Sequence, residues 1–232
     1  MNHGLKTKDE RRRKMQFKTD YIKVQKTARF SSYGQLNEQT KYFWFCLHGS
    51  NMLCEQMLYK FTDFDPNTHY VVAAEGLSRF YAKGMQGDVV ASWMTKRDRL
   101  HEIDDFSNYL SQLYEQCVEH LPQGCKKIIV AFSQGGTTAY RWMHKKKVEA
   151  DLFIPYSCWV PEDIDLKASV TKLNDLKTVY TYGTEDQYLR EDRVAAVKNI
   201  IHKNALNLKI HPYAGKHRIE KKHLQHLLET YI

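Results

Sequence analysis

The stretch Lys127-Ile128-Ile129-Val130-Ala131-Phe132-Ser133-Gln134-Gly135-Gly136 decides the fold. Its apolar run, Ile128 to Phe132, does not alternate with polar residues, which is what a strand covered on both faces requires. A serine follows at once, then two glycines, then a stretch of helical character. The segment therefore reads as a strand, a sharp turn carrying the serine, and a helix. A turn that tight leaves no room for large side chains two residues either side of the serine, and Ala131 and Gly135 stand there. It lifts the hydroxyl out of the sheet to a helix N-terminus, where free N–H groups and the positive dipole end favour a developing oxyanion. A serine N-cap with glycines for packing explains the same string more plainly, so residues elsewhere must decide.

Outward from this stretch the chain alternates between β-rich and helical runs. Strands are expected at Tyr42–Leu47, His69–Ala74, Lys127–Phe132, Leu152–Tyr156, Thr178–Tyr182 and Leu208–Pro212. Helices are expected at Met52–Phe61, Ile103–His120, Gly136–Lys147, Asp192–Lys203 and Glu220–Thr230. Strands alternating with helices of this length build βαβ units, hence an α/β fold with a mostly parallel sheet flanked by helices on both faces. No repeat or linker divides the chain, and the expected organisation is a basic N-terminal arm over 1–20 and one domain over 21–232. Residues 76–101 fit neither period and read as a loop excursion over the sheet edge or a short helix.

Ligands of such sheets sit at the carboxyl ends of the strands. A serine hydroxyl is a weak nucleophile that needs a base, and the base needs a carboxylate to orient it. In this fold the chain order is serine, acid, histidine. Gly183-Thr184-Glu185-Asp186 follows the run ending at Tyr182, and Tyr213-Ala214-Gly215-Lys216-His217 follows the run ending at Pro212. Ser133, Asp186 and His217 thus stand in that order, each just after its own strand. Glu185 fits a solvated loop carboxylate, and His211, His223 and His226 fit packing or surface positions. Acyl transfer also needs two N–H donors. One is the Gln134 N–H; the other is expected from the loop His48-Gly49-Ser50-Asn51, at Ser50, with Asn51 as runner-up. Trp93, Trp159 and Tyr188 could line an apolar acyl pocket, although core packing explains aromatics at strand ends equally well. Arg97 and Arg99 could meet a substrate carboxylate or phosphate, or simply be solvated.

His48-Gly49, Phe132-Ser133-Gln134-Gly135-Gly136, Gly183-x-x-Asp186 and Gly215-x-His217 together resemble the α/β-hydrolase superfamily. The nearest branch is the phospholipase/carboxylesterase group that includes acyl-protein thioesterases. Ser157-Cys158-Trp159-Val160-Pro161 is similar to that group's stretch after its sixth strand. The resemblance covers about residues 40–232. It implies an α/β-hydrolase fold with a core of about eight strands. It also implies a Ser133–His217–Asp186 triad that hydrolyses esters or thioesters without a cofactor. The chain departs from the branch at Ala131, where a glycine is usual, in the His-Gly-Ser-Asn loop, and over Glu75–Arg99.

The 232 residues carry a net charge of +8, but the first 26 hold nine basic and three acidic residues, leaving the remainder close to neutral. Nucleic acid is therefore not an expected partner of the body. The arm could tether to an anionic surface or serve as a solubilising tail. No apolar run approaches the ~20 residues of a membrane span. The five cysteines are an odd number without a CxxC pair, against a disulfide framework or a metal site and in keeping with a reducing cytoplasm. The expected partner is a small acyl ester or thioester; a non-catalytic binding protein on the same scaffold is the alternative.

Overall fold

The structure is a computed structural model that describes residues 18–166 and 176–232. In chain order the strands are β1 (Phe30–Tyr33), β2 (Tyr42–Leu47), β3 (His69–Ala74), β4 (Ser78–Lys83), β5 (Gln86–Ser92), β6 (Lys126–Phe132), β7 (Leu152–Tyr156), β8 (Thr178–Gly183) and β9 (Leu208–Tyr213). The helices are α1 (Glu55–Leu58), α2 (Arg99–Val118), α3 (Gln134–Lys145), α4 (Glu191–Lys203) and α5 (Lys221–Tyr231).

Strand β2 shows why the sheet forms where the apolar runs lie. Its Phe43, Phe45 and Leu47 join one cluster with α2, α3 and α4, through residues such as Phe106, Trp142 and Val197. Trp44 and Cys46 join the opposite cluster with Met57, Leu224 and Leu227 of α1 and α5. All five strand residues are fully buried. A strand covered on both faces gains nothing from alternation, so its sequence is continuously apolar. The sheet order is β1-β3-β2-β6-β7-β8-β9. Every adjacent pair is parallel except β1 with β3.

Among the described residues the main sheet has seven strands, where the resemblance implies about eight. Residues 18–29 run irregular and mostly exposed ahead of β1, without the apolar run a further strand would bury. Residues 76–101, expected as a loop or short helix, instead contain a separate antiparallel hairpin, β4–β5, and the start of α2. The helix expected over Met52–Phe61 is cut to α1, because Met52 forms an isolated bridge to Ala91 of β5. The expected arm over 1–20 falls outside the described residues except for residues 18–20. Among the described residues, no helix is long and apolar enough to cross a membrane.

This packing sets measurable expectations. Phe45→Ala leaves a cavity between β2, α2 and α3 and is expected to cost about 3–5 kcal/mol. The measurement is the urea midpoint at unchanged slope; an unaltered midpoint would contradict the packing described. His69 accepts the Trp44 indole N–H at Nδ1 (2.9 Å), and burial lowers its pKa to about 4. His223 is likewise lowered to about 4, first by burial and then by His211 and His226. In the unfolded chain both titrate near the ordinary ~6.5. Between those values the unfolded state binds more protons, so stability present above pH ~6.5 is lost as pH falls toward 4. Urea midpoints at pH 7 and pH 5 test this; the pH 5 value should be the lower.

Candidate active site

Ser133 sits between β6 and α3 with φ 52° and ψ −120°, a left-handed conformation that side chains rarely adopt. Neighbouring strands hold the turn in place: the Ser133 N–H donates to the Tyr156 carbonyl at the end of β7 (2.9 Å). Close approach explains the glycine that follows Gln134. A Cβ on Gly135 would lie 2.5 Å from the carbonyl oxygens of Leu47 and His48, so any side chain would drive α3 off the end of β2.

Asp186 lies in the turn after β8, its side chain fully buried. Its Oδ1 accepts the N–H groups of Tyr188 (2.8 Å) and Leu189 (3.2 Å), which compensates the burial of a charged group. Its Oδ2 lies 2.6 Å from Nδ1 of His217, in the loop after β9. A carboxylate only accepts, so Nδ1 carries the proton and Nε2 presents its lone pair. That nitrogen faces Ser133 Oγ at 3.0 Å. The three residues expected from the sequence therefore meet in one hydrogen-bonded chain.

The loops bearing the acid and the histidine are joined to each other. The N–H of Thr184 donates to the Tyr213 carbonyl, and that of Glu185 to the Gly215 carbonyl (both 2.8 Å). The Tyr213 hydroxyl lies within reach of the Lys216 and Arg218 carbonyls, on either side of His217. Phe132 and Tyr188 set their rings against the imidazole, with centroids at 4.8 Å and 4.7 Å. Sequence reasoning misses the roles of Phe132 and Tyr213, although both stand beside or close to candidate residues in the chain.

His48 is buried and neutral. Its Nδ1 bonds the Gly49 carbonyl (2.6 Å), its Nε2 accepts the Gly76 N–H (2.9 Å), and burial lowers its pKa. It supports the loop in which Ser50 lies. The runner-up donor Asn51 gives its N–H to the Ala91 carbonyl (3.0 Å), which leaves Ser50 as the candidate from this loop. Gln134 opens α3, where the first N–H groups of a helix have no partner within it.

The three aromatic candidates separate. Tyr188 is 56% exposed beside His217, and Trp159 is half-buried next to α3, its carbonyl accepting the Thr137 hydroxyl (2.9 Å). Trp93 is 1% exposed, and its indole N–H donates to the His48 carbonyl (2.8 Å), so it packs beneath the loop. Arg99 pairs with Asp163 (3.2 Å), whereas Arg97 is exposed. Cys54, Glu55 and Glu75 converge and are residue types that bind metal ions, but the Arg29 guanidinium pairs with both carboxylates and supplies the positive charge there.

A serine on a strained strand-to-helix turn, with a histidine and an acid from later strand ends of a mostly parallel sheet, defines an α/β hydrolase. The family described as Phospholipase/Carboxylesterase matches residues 46–231, and the chain belongs to it. No curated protein matches the chain in sequence. Among solved structures it is similar to Zea mays acyl-protein thioesterase 2, at 15% identity and a TM-score of 0.67 over 88% of this chain and 97% of that one. It is also similar to esterase PE8, at 14% identity and a TM-score of 0.63 over 88% and 99%. A third is the Bacillus cereus carboxylesterase, at 9% identity and a TM-score of 0.62 over 88% and 93%.

The joined loops generate a prediction. A Cβ on Gly183 would lie 2.2 Å from the Gly215 carbonyl oxygen, so Gly183→Ala must push the two loops apart. Overpacking of this kind costs about 1–3 kcal/mol, a fall of roughly 2–12 °C in melting temperature for a chain of this size. An unchanged melting temperature would contradict the contact.

Proposed function

We propose that this protein hydrolyses a carboxylic ester or thioester through an acyl-enzyme intermediate on Ser133. The observation that carries the reading is the His217 imidazole, bonded at one nitrogen to the buried Asp186 and at the other to Ser133 Oγ. Ser133 Oγ attacks the acyl carbon as His217 Nε2 takes its proton. Asp186 keeps the imidazole in the required tautomer and stabilises the imidazolium that forms. The carbonyl oxygen, now negative, receives the N–H groups of Gln134 and Ser50. Collapse of the tetrahedral intermediate expels the alcohol or thiol, which takes the proton from His217. Water then attacks the acyl group by the same proton path and releases the carboxylic acid.

Membership in the phospholipase/carboxylesterase family supports the reaction class, and the thioesterase and carboxylesterase neighbours support esters and thioesters as the substrates. Trp159 and Tyr188 are the proposed walls for the acyl group, with Trp93 behind the oxyanion loop. Five free cysteines support a reducing, cytoplasmic setting.

p-Nitrophenyl acetate and a thioester analogue provide the test. Ser133→Ala should lower kcat at least about 10³-fold, and Asp186→Asn about 10²–10⁴-fold, with the fold retained by circular dichroism. Turnover unchanged in Ser133→Ala would sink the proposal and favour a binding protein on the same scaffold.

A further inference from the structure

We propose that the Gln134 side chain is a positioning residue: its amide ties the segment 91–94, at the end of β5, to the nucleophile turn and so sets the spacing of the Gln134 and Ser50 N–H groups. This role rests on the hydrolase reading above and concerns how its oxyanion site is held together.

The two donors come from different strands. β2 and β6 are paired in parallel up to Leu47 and Ala131, the last partners in their ladder. Ser50 lies three residues beyond that point, so the ladder does not fix its distance from Gln134. The segment 91–94 spans the gap. At one side, the Asn51 N–H donates to the Ala91 carbonyl and the Ala91 N–H to the Met52 carbonyl (both 3.0 Å). The Trp93 indole holds the other end of the same loop at the His48 carbonyl (2.8 Å). Ser50 is thereby bracketed by contacts to a single short piece of chain.

The other side of that piece is held by Gln134. Its Oε1 accepts both the Ser92 hydroxyl (3.0 Å) and the Trp93 N–H (3.1 Å). Its Nε2 donates to the Met94 carbonyl (2.8 Å). One planar amide thus serves three groups across three consecutive residues. The job needs an acceptor and a donor on one rigid head, which a primary amide supplies. The residue whose backbone N–H is the first proposed donor is therefore tied by its own side chain to the splint that carries the second.

Misplacing a catalytic group by about 1 Å can cost 10²-fold in rate, and losing an oxyanion donor costs ~10²–10³-fold. Gln134→Met keeps the length and removes every one of these bonds. With p-nitrophenyl acetate, kcat should fall about 10–100-fold while KM stays within about twofold. Affinity for a phenylboronic acid, a tetrahedral-adduct former, should weaken by a comparable factor. Ser92→Ala removes one of the two donors on Oε1 and touches neither N–H group; kcat should fall about threefold at unchanged KM and melting temperature. A folded Gln134→Met variant with wild-type kcat and boronate affinity overturns the inference. Should that variant not fold, Ser92→Ala decides it alone, and wild-type kcat there is the contrary result. Ser133→Ala in the same panel separates the two levels. If it is still active, the hydrolase reading fails; if it is inactive while Gln134→Met is fully active, only the positioning role fails.

Discussion

A parallel sheet buried on both faces must send the chain back across a covered face after every strand, and that constraint organises the whole molecule. All the loops that follow the parallel strands then emerge at one edge. The loops after β2, β6, β8 and β9 carry His48–Asn51, Ser133, Asp186 and His217, residues far apart in the chain. The two faces are packed chiefly by apolar side chains, through Phe43, Phe45 and Leu47 on one side and Trp44 and Cys46 on the other. Ser133, Asp186 and His217 stand beyond the strand ends, at the rim of that packed sheet.

At that rim, ordered structure is maintained against local strain. Ser133 occupies a positive-φ conformation that costs of order 1–3 kcal/mol for a residue with a side chain. The bond from its N–H to Tyr156 and the close seat of Gly135 over the end of β2 oppose relaxation. Asp186 meets a similar demand differently: a buried carboxylate is tolerable because two N–H groups and the His217 ring occupy its oxygens. The satellite hairpin β4–β5 adds a third device, since the end of β5 and the residues just after it bond both the 48–52 loop and the Gln134 side chain beside Ser133.

Much of this is legible in the sequence, for a physical reason. β2, β3, β6, β7 and β8 appear as apolar runs because each is covered on both faces, whereas the edge strand β9 shows only a half-buried Leu-Lys-Ile-His-Pro-Tyr; the observed limits of all six differ from the expected ones by at most one residue. Ser133, Asp186 and His217 are legible as candidates because each stands in the short loop that follows a strand, at the strand's carboxyl end. β1 is not, because Phe-Ser-Ser-Tyr is an edge strand with a half-polar face. The hairpin is not, because only the end of β5 (Val90–Ser92) is buried, while β4 and the turn leave Phe80, Tyr81 and Met85 exposed. The contacts of Gln134 are beyond reach for the same reason: its partners lie about forty residues upstream, on an element the apolar pattern does not reveal.

The proposed mechanism requires the Ser133 hydroxyl to be the activated nucleophile. The most direct measurement is the intact mass of the native protein after exposure to a fluorophosphonate, followed by peptide mapping. A single adduct is expected, located on Ser133 and lost when the protein is first unfolded in urea. A native protein that takes no label, or takes it at another residue, would contradict that requirement.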